Sequence, residues 1–163
     1  KKSEKMIQRV QSIFLFLVAV AMGLTLGLDL WVQQVVDSGE TWELNALFLQ
    51  QISSTGEVIQ SSSNWYIAAL ASFVGLLAII SIFQYRNHGR QMMINMVNSL
   101  FMVGLVAIVF LTTNGINKEI GAADNGAYQI GFWAILAAMV CNMLANRFIR
   151  KDVALLKSVD RIR

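Results

Sequence analysis

WYIAALASFVGLLAIISIFQY, residues 65–85, is an uncharged run long enough to cross the apolar core of a bilayer, about 30 Å, as a single helix. A second apolar run, MMINMVNSLFMVGLVAIVFLTT, occupies residues 92–113. The residues between the two runs, RNHGR at 86–90, include two arginines. Two spanning helices joined by so short a turn must be antiparallel, and basic turns lie on the cytoplasmic side. This hairpin therefore predicts the orientation of the rest of the chain.

The composition predicts a membrane protein. Of the 163 residues, 56% are hydrophobic and only 14% are charged, whereas soluble domains carry about a quarter charged residues. The net charge of +3 would indicate nucleic-acid binding only if the basic residues clustered on a soluble face. They lie at the ends of the apolar runs instead. We therefore expect them to orient the chain, and we predict no nucleic-acid partner.

Working outward from the hairpin, the apolar runs predict one membrane domain over residues 1–163. The expected fold is an all-α membrane protein, an antiparallel four-transmembrane-helix bundle with a small extended, β-hairpin-like outer loop between spans 1 and 2. The predicted spans cover residues 7–31, 65–85, 92–113 and 128–147. The other segments are outer loops at 37–64 and 114–127, the cytoplasmic turn at 86–90 and a cytoplasmic helical tail at 148–163.

The first outer loop contains a strand pattern between two turn signals, DSG at residues 37–39 and TG at residues 55–56. Residues 41–52 and 57–60 predict two short strands, and a short helix over residues 45–51 is the alternative. An isolated two-stranded hairpin is barely stable in water, so we expect this one to pack on the ends of the spans.

The distribution of charge agrees with this topology at every loop. Of the 13 Lys and Arg residues, 12 fall on the predicted inner side, and only Lys118 falls outside. The net charge is then +9 inside and −6 outside, in agreement with the total of +3. Lys and Arg in loops orient membrane chains. The sequence therefore predicts that both termini are cytoplasmic.

Polar side chains of the spans concentrate near the predicted cytoplasmic ends. Two readings are open: they form hydrogen bonds between helices, or they line a polar vestibule for a lipid headgroup or for a partner's backbone. Asn142 and Asn146 share a helix face, and so do Asn95 and Asn98. Ser81 lies at the same level. The candidate vestibule or partner-contact residues are Gln8, Gln11, Gln84, Asn95, Asn98, Asn142 and Asn146.

Basic residues at the same ends predict contact with the anionic inner leaflet. In the tail they alternate with apolar residues, which is typical of a helix lying on a membrane surface. The alternatives are that the cluster only holds span 4 in place, or that the tail docks on a protein. The candidate leaflet-contact residues are Arg9, Arg86, Arg90, Arg147, Arg150, Lys151, Lys157 and Arg161.

Small residues recur every four positions in the first span, at Ala19, Gly23 and Gly27. Such a ridge lets another helix approach closely. It predicts either packing within the protein or a docking face for a partner subunit.

Patterns of catalytic chemistry are absent from the sequence. There is one histidine, His88 in the turn, and one cysteine, Cys141 in an apolar run. No His and Cys spacing suits a metal, and no glycine-rich loop precedes a soluble helix. The spans carry no charge at mid-depth, which disfavours ion transport. We therefore predict no catalytic residue, no cofactor and no metal site.

The two ends of the chain resemble a known family. The opening stretch MIQRVQ at residues 6–11 and the closing stretch ANRFIRKD at residues 145–152 carry the similarity, together with Leu155, Ser158, Asp160, Arg161 and Arg163. They resemble an uncharacterised four-span inner-membrane family of the Bacteroidetes, domain of unknown function 4293. The similarity covers nearly the whole chain from Met6. It implies a bacterial inner-membrane protein and assigns no active residue.

Together these features favour a non-enzymatic accessory, assembly or scaffolding subunit that acts through its helices and cytoplasmic tail. Its expected partners are membrane lipids and either a membrane protein or a second copy of the chain. The alternative is a small lipid- or small-molecule-handling protein that uses the polar vestibule. An exposed apolar groove beside a filled core would favour the first reading, and a cavity between the spans would favour the second.

Overall fold

Four long helices dominate the computed structural model, which describes residues 2–36, 38–85, 87–122 and 124–160, with side chains described only between residues 10 and 155. The helices are α1 (Lys2–Gly27), α2 (Trp65–Phe83), α3 (His88–Glu119) and α4 (Ile130–Asp160). Each is long and apolar enough to cross a membrane, which indicates a membrane protein. The tail predicted after residue 147 continues α4 without a break up to Asp160.

The helices pack in a ring in which α1 and α3 each contact both α2 and α4. On every helix the buried side chains recur at intervals of three and four residues, the spacing of a single inward face. On α3 this face includes Met102, Leu105 and Val109. The faces meet in one apolar core, to which the other helices contribute Val18 and Met22, Val74 and Ala78, and Ile135 and Ala138.

A five-stranded antiparallel sheet lies at one end of the helices. Its strands are β1 (Trp31–Gln34), β2 (Thr41–Leu44), β3 (Phe48–Ile52), β4 (Val58–Ser63) and β5 (Ala127–Tyr128), in the order β4-β3-β2-β1-β5. The prediction of an all-α protein with a small β-hairpin-like loop is therefore wrong. The sheet extends well beyond a hairpin, and β5 comes from the second connection, where it pairs with β1.

Local chemistry explains the additional strands. The Asn45 side chain accepts hydrogen bonds from the backbone N–H groups of Leu47 (2.9 Å) and Phe48 (2.7 Å). This turn divides residues 41–52 into two strands, β2 and β3, and excludes the alternative helix over residues 45–51. Strand β1 begins at Trp31, inside the apolar run that the sequence assigns to span 1. Periodicity within the run does not reveal that the helix has ended before it.

Backbone hydrogen bonds fix the sheet to the helices. Leu30 N–H donates to the Leu44 carbonyl (2.8 Å), and Gln129 N–H, just before α4, donates to the Leu30 carbonyl (2.9 Å). Ala68 N–H in α2 donates to the Ala46 carbonyl (3.0 Å). We call this the sheet end of the protein. The opposite end, with the start of α1, the α2–α3 turn and the last part of α4, is the turn end.

Candidate functional site

Near the turn end the inward faces of the helices change from apolar to polar. Toward the turn end, the buried face of α3 continues from Met102 to Asn98, Asn95 and Gln91, at intervals of three and four residues. The corresponding positions on the other helices also carry polar groups. We call this set the polar layer; it comprises Gln11, Ser81, Gln91, Asn95, Asn98, Ser99 and Asn142.

Hydrogen bonds join α1, α2 and α3 in this layer. Gln11 Nε2 lies 3.5 Å from Gln91 Oε1, a long hydrogen bond between α1 and α3. Gln91 Nε2 donates to the Ser81 carbonyl on α2 at 3.0 Å. Ser81 Oγ donates to Asn95 Oδ1 at 2.6 Å. The polar positions of these helices therefore stabilise helix–helix contacts.

Asn142 connects α4 to the same network. Its Nδ2 donates to the Asn95 carbonyl (2.9 Å) and to Ser99 Oγ (2.8 Å). Ser99 Oγ in turn donates to the Asn95 carbonyl at 3.1 Å. Asn142 has no exposed surface, and its bond to the Asn95 carbonyl is buried, whereas its bond to Ser99 is only partly buried. With this residue the network links all four helices.

The polar layer also holds buried hydrogen-bonding atoms without a protein partner. Both amide atoms of Asn98 are in this state, as are Asn95 Nδ2, Asn142 Oδ1 and Gln11 Oε1. A buried polar atom without a partner is costly, at roughly 1–3 kcal/mol. The layer therefore retains both donors and acceptors that a small polar molecule can use.

Closer to the turn end than the polar layer, a partly buried histidine of α3 contacts a buried aspartate of α4. His88 Nε2 lies 3.4 Å from Asp152 Oδ2, and the two side chains are 15% and 2% exposed. Sequence reasoning places His88 in the α2–α3 turn and misses this pair. The available signal is spacing, because Asp152 continues the inward face of α4 through Ala145 and Ile149.

The structure brings together only some of the predicted vestibule residues. Gln11, Asn95, Asn98 and Asn142 lie in the polar layer. Gln84 and Asn146 are partly buried, and each lines a surface groove: Gln84 one between α2 and α3, and Asn146 one on α4. The side chains of Gln8, Arg9 and Lys157 lie outside the described part of the chain, as do Arg86 and Arg161 altogether.

One surface groove, the α2–α3 groove, runs between α2 and α3 near the turn end. It has a volume of about 350 Å³. Met93 and Val97 are 70% and 42% exposed, so these side chains face away from the core. Arg90 lies in the lining of the groove, in the first turn of α3. The groove residues are Leu77, Gln84, Arg90, Met93, Ile94 and Val97.

A second groove, the α4 groove, follows the outer surface of α4 at the turn end and has a volume of about 530 Å³. It contains three exposed cations, Arg147, Arg150 and Lys151. Lys151 Nζ also lies 5.9 Å from the centre of the Phe148 ring. The described lining of the α4 groove is Met143, Asn146, Arg147, Arg150, Lys151 and Ala154.

The glycines of the first span do not pack inside the protein. Gly23 and Gly27 are exposed, and a Cβ added at either would meet nothing within 4 Å. The close approach of α1 and α2 occurs elsewhere, where a Cβ at Gly75 would lie 3.4 Å from Met22 Cβ. The ridge at Ala19, Gly23 and Gly27 therefore lies mainly on the outer surface.

A polar contact at the sheet end involves the second connection. Gln33 Nε2 donates to Asp124 Oδ1 at 2.6 Å, and Gly126 N–H donates to the same oxygen at 3.2 Å. These hydrogen bonds stabilise the carboxylate and lower the pKa of Asp124 below its ordinary value of 3.8. Among the residues that the structure describes, no group of three His, Cys, Asp or Glu side chains is arranged to hold a metal ion.

A comparison with family models matches residues 7–162, nearly the whole chain, to a model described as a domain of unknown function (DUF4293). No curated protein matches the chain.

Proposed function

Because the chain belongs to the DUF4293 family, whose function is unknown, we propose a function from its own residues: it is a non-enzymatic accessory, assembly or scaffolding subunit of a membrane complex. It acts by contact, through the outer surfaces of its helices and through the tail. The partner is another membrane protein or a second copy of this chain.

We propose that the protein lies in the inner membrane of a bacterium with the turn end in the cytoplasm. This orientation places 12 of the 13 Lys and Arg residues on the cytoplasmic side. The sheet then faces the outside, and both termini are cytoplasmic. The basic residues Arg90, Arg147, Arg150 and Lys151 come to lie at the level of the inner leaflet.

The observation that carries the proposal is the α2–α3 groove. In a bilayer, helices associate by close packing and by hydrogen bonds rather than by hydrophobicity, because lipid tails are as apolar as leucine. A groove between two helices offers such packing, and Gln84 supplies a side-chain amide within it. We therefore propose that a partner helix occupies this groove.

The polar layer supports the same proposal. Two of its hydrogen bonds link α2 and α3 directly: Ser81 Oγ donates to Asn95 Oδ1, and Gln91 Nε2 donates to the Ser81 carbonyl. Because these hydrogen bonds hold α2 and α3 together, the groove between the two helices presents a fixed shape to a partner. Fixed surfaces lose little conformational freedom on binding, which favours affinity.

The proposal is tested by purification from native membranes in a mild detergent, with one variant in the groove and one outside it. Val97→Trp fills the α2–α3 groove. Val103→Trp adds the same bulk at an exposed position on α3 outside the groove lining. We expect the wild type and Val103→Trp to retain a partner at fixed stoichiometry and Val97→Trp to lose it. Absence of any stoichiometric partner from the wild type would contradict the proposal.

The unpartnered amides of the polar layer favour a second candidate, the handling of a lipid headgroup or a small polar molecule. In this case Asn98, which has no protein partner for either amide atom, contacts the ligand. Replacement of Asn98 by Leu would then abolish cellular function while leaving the protein folded. Under the subunit proposal, Asn98→Leu keeps both the partner and the function.

A further inference from the structure

The outer face of α4 is apolar along most of its length and becomes basic near its end. Trp133, Val140 and Met143 are 60%, 57% and 66% exposed. Arg147 and Arg150 follow at the next positions of the same helical stripe, with spacings of four and three residues. The stripe thus combines an apolar surface, on which an acyl chain can lie, with basic side chains that can bind an anionic headgroup.

The change from apolar to basic occurs at the depth of a lipid headgroup. From Ile130 to Arg147 the helix rises about 25 Å at 1.5 Å per residue, and no charged residue lies in between. That length is close to the hydrocarbon thickness of a bilayer, about 30 Å. Arg147, Arg150 and Lys151 therefore lie beside the phosphates of one leaflet when the helix spans the membrane.

The α4 groove has the charge that an anionic headgroup requires. Its described lining contains three cations and no acid. Guanidinium groups form paired hydrogen bonds with phosphate oxygens, and each Lys or Arg near an anionic lipid surface adds to the attraction. The apolar end of the lining, at Met143, joins the groove to the acyl-chain surface.

From this combination we infer that the α4 groove is a specific site for one anionic phospholipid. The phosphate contacts Arg147, Arg150 and Lys151, and an acyl chain lies along Met143 and Val140. The inference goes beyond the subunit proposal and does not depend on it. It requires only that the helices lie in a bilayer, because the α2–α3 groove occupies a different face.

Titration of the purified full chain with single lipids, followed by native mass spectrometry, tests the inference. The probes are phosphatidylglycerol and phosphatidylcholine with identical acyl chains, in an uncharged detergent. We expect one phosphatidylglycerol to bind about tenfold or more tightly than phosphatidylcholine. The triple variant Arg147→Gln, Arg150→Gln, Lys151→Gln should lose this preference, whereas Arg147→Lys with Arg150→Lys should keep most of it.

Two variants that leave the net charge unchanged test whether lipid binding depends on the shape of the α4 groove or only on the charge of its cations. Met143→Trp obstructs the groove and leaves all its cations in place, and Met96→Trp adds the same side chain at an exposed position of α3. We expect Met143→Trp alone to weaken phosphatidylglycerol binding several-fold. The inference is overturned if the two lipids bind equally, if the triple Gln variant keeps the preference, or if Met143→Trp binds like Met96→Trp. It is also overturned if the protein purified from native membranes carries an acidic protein, and not a lipid, bound at the α4 groove.

Discussion

His88, the first residue of α3, is partly buried, and its Nε2 lies 3.4 Å from Oδ2 of the buried Asp152, near the end of α4. Asp152 is 2% exposed on its side chain, and a buried carboxyl group needs a partner. The pair connects the α2–α3 turn to the part of α4 that extends beyond the polar layer. It therefore holds this part of α4 against the start of α3.

The first prediction concerns this pair. His88→Leu and Asp152→Leu should each destabilise the protein, because the first leaves a buried carboxyl group and the second a partly buried imidazole without its partner. The double variant should be more stable than the sum of the two losses predicts, by about 1 kcal/mol or more. Reversible unfolding in mixed micelles measures the three free energies. Additivity within about 0.5 kcal/mol would show that the pair does not interact.

The second prediction compares two asparagines of the polar layer. Asn142 donates two hydrogen bonds, so Asn142→Leu should cost about 1 kcal/mol of unfolding free energy at about 0.6 kcal/mol per contact. Asn98 makes none with protein groups, so Asn98→Leu should be neutral or stabilising. The same unfolding assay compares the two variants. A larger loss for Asn98→Leu than for Asn142→Leu would contradict the described network.

Sequence patterns predict the helices because the information is local. A run such as residues 65–85 needs no distant partner to be recognised as a span, since its length and lack of charge suffice. The position of Asn95 and Asn142 in the interior also follows from helical spacing. Which atoms they bond does not, because Asn142 donates to the Asn95 carbonyl 47 positions away.

The strands of the sheet, unlike the helices, depend on residues that are distant in the sequence. Strand β5 has only two residues, Ala127 and Tyr128, and is a strand only because β1 lies beside it. Strand β1 starts at Trp31 within an apolar run, so its pattern is also compatible with a helix. The pairing between residues almost one hundred positions apart is a tertiary property that short-range alternation does not encode.

The third prediction concerns the contact of α4 with the end of α1. A Cβ at Gly131 would lie 2.7 Å from the Asp29 carbonyl oxygen and 2.8 Å from that of Leu28, both of them backbone atoms. Gly131→Ala should therefore destabilise the protein by about 1–3 kcal/mol through overpacking. Gly104→Ala is the matched control, because a Cβ there would meet nothing within 4 Å. Equal stability of the two variants would show that Gly131 does not pack closely against the Leu28 and Asp29 carbonyl oxygens.

The fourth prediction concerns the pKa of Asp124 and its effect on stability at low pH. Hydrogen bonds from Gln33 and Gly126 lower the pKa of Asp124, so its carboxylate favours the folded state. This stabilisation is complete above the pKa of Asp124 in the unfolded chain, and it is lost as the pH falls through the lower pKa of the folded protein. Gln33→Ala should raise the pKa of Asp124 toward 3.8, as measured by carboxyl NMR. An unchanged pKa would show that Gln33 does not stabilise the carboxylate.

We propose that the sheet end and the turn end lie on opposite sides of the membrane, with the turn end in the cytoplasm. Labelling of single cysteines in spheroplasts with a membrane-impermeant maleimide tests it, in a Cys141→Ser background. Ser62→Cys places the thiol on exposed β4, and Gly89→Cys places it at the exposed start of α3. We predict that Ser62→Cys reacts in intact spheroplasts and that Gly89→Cys reacts only after lysis. Reaction of Gly89→Cys before lysis, with or without protection of Ser62→Cys, would contradict the claim.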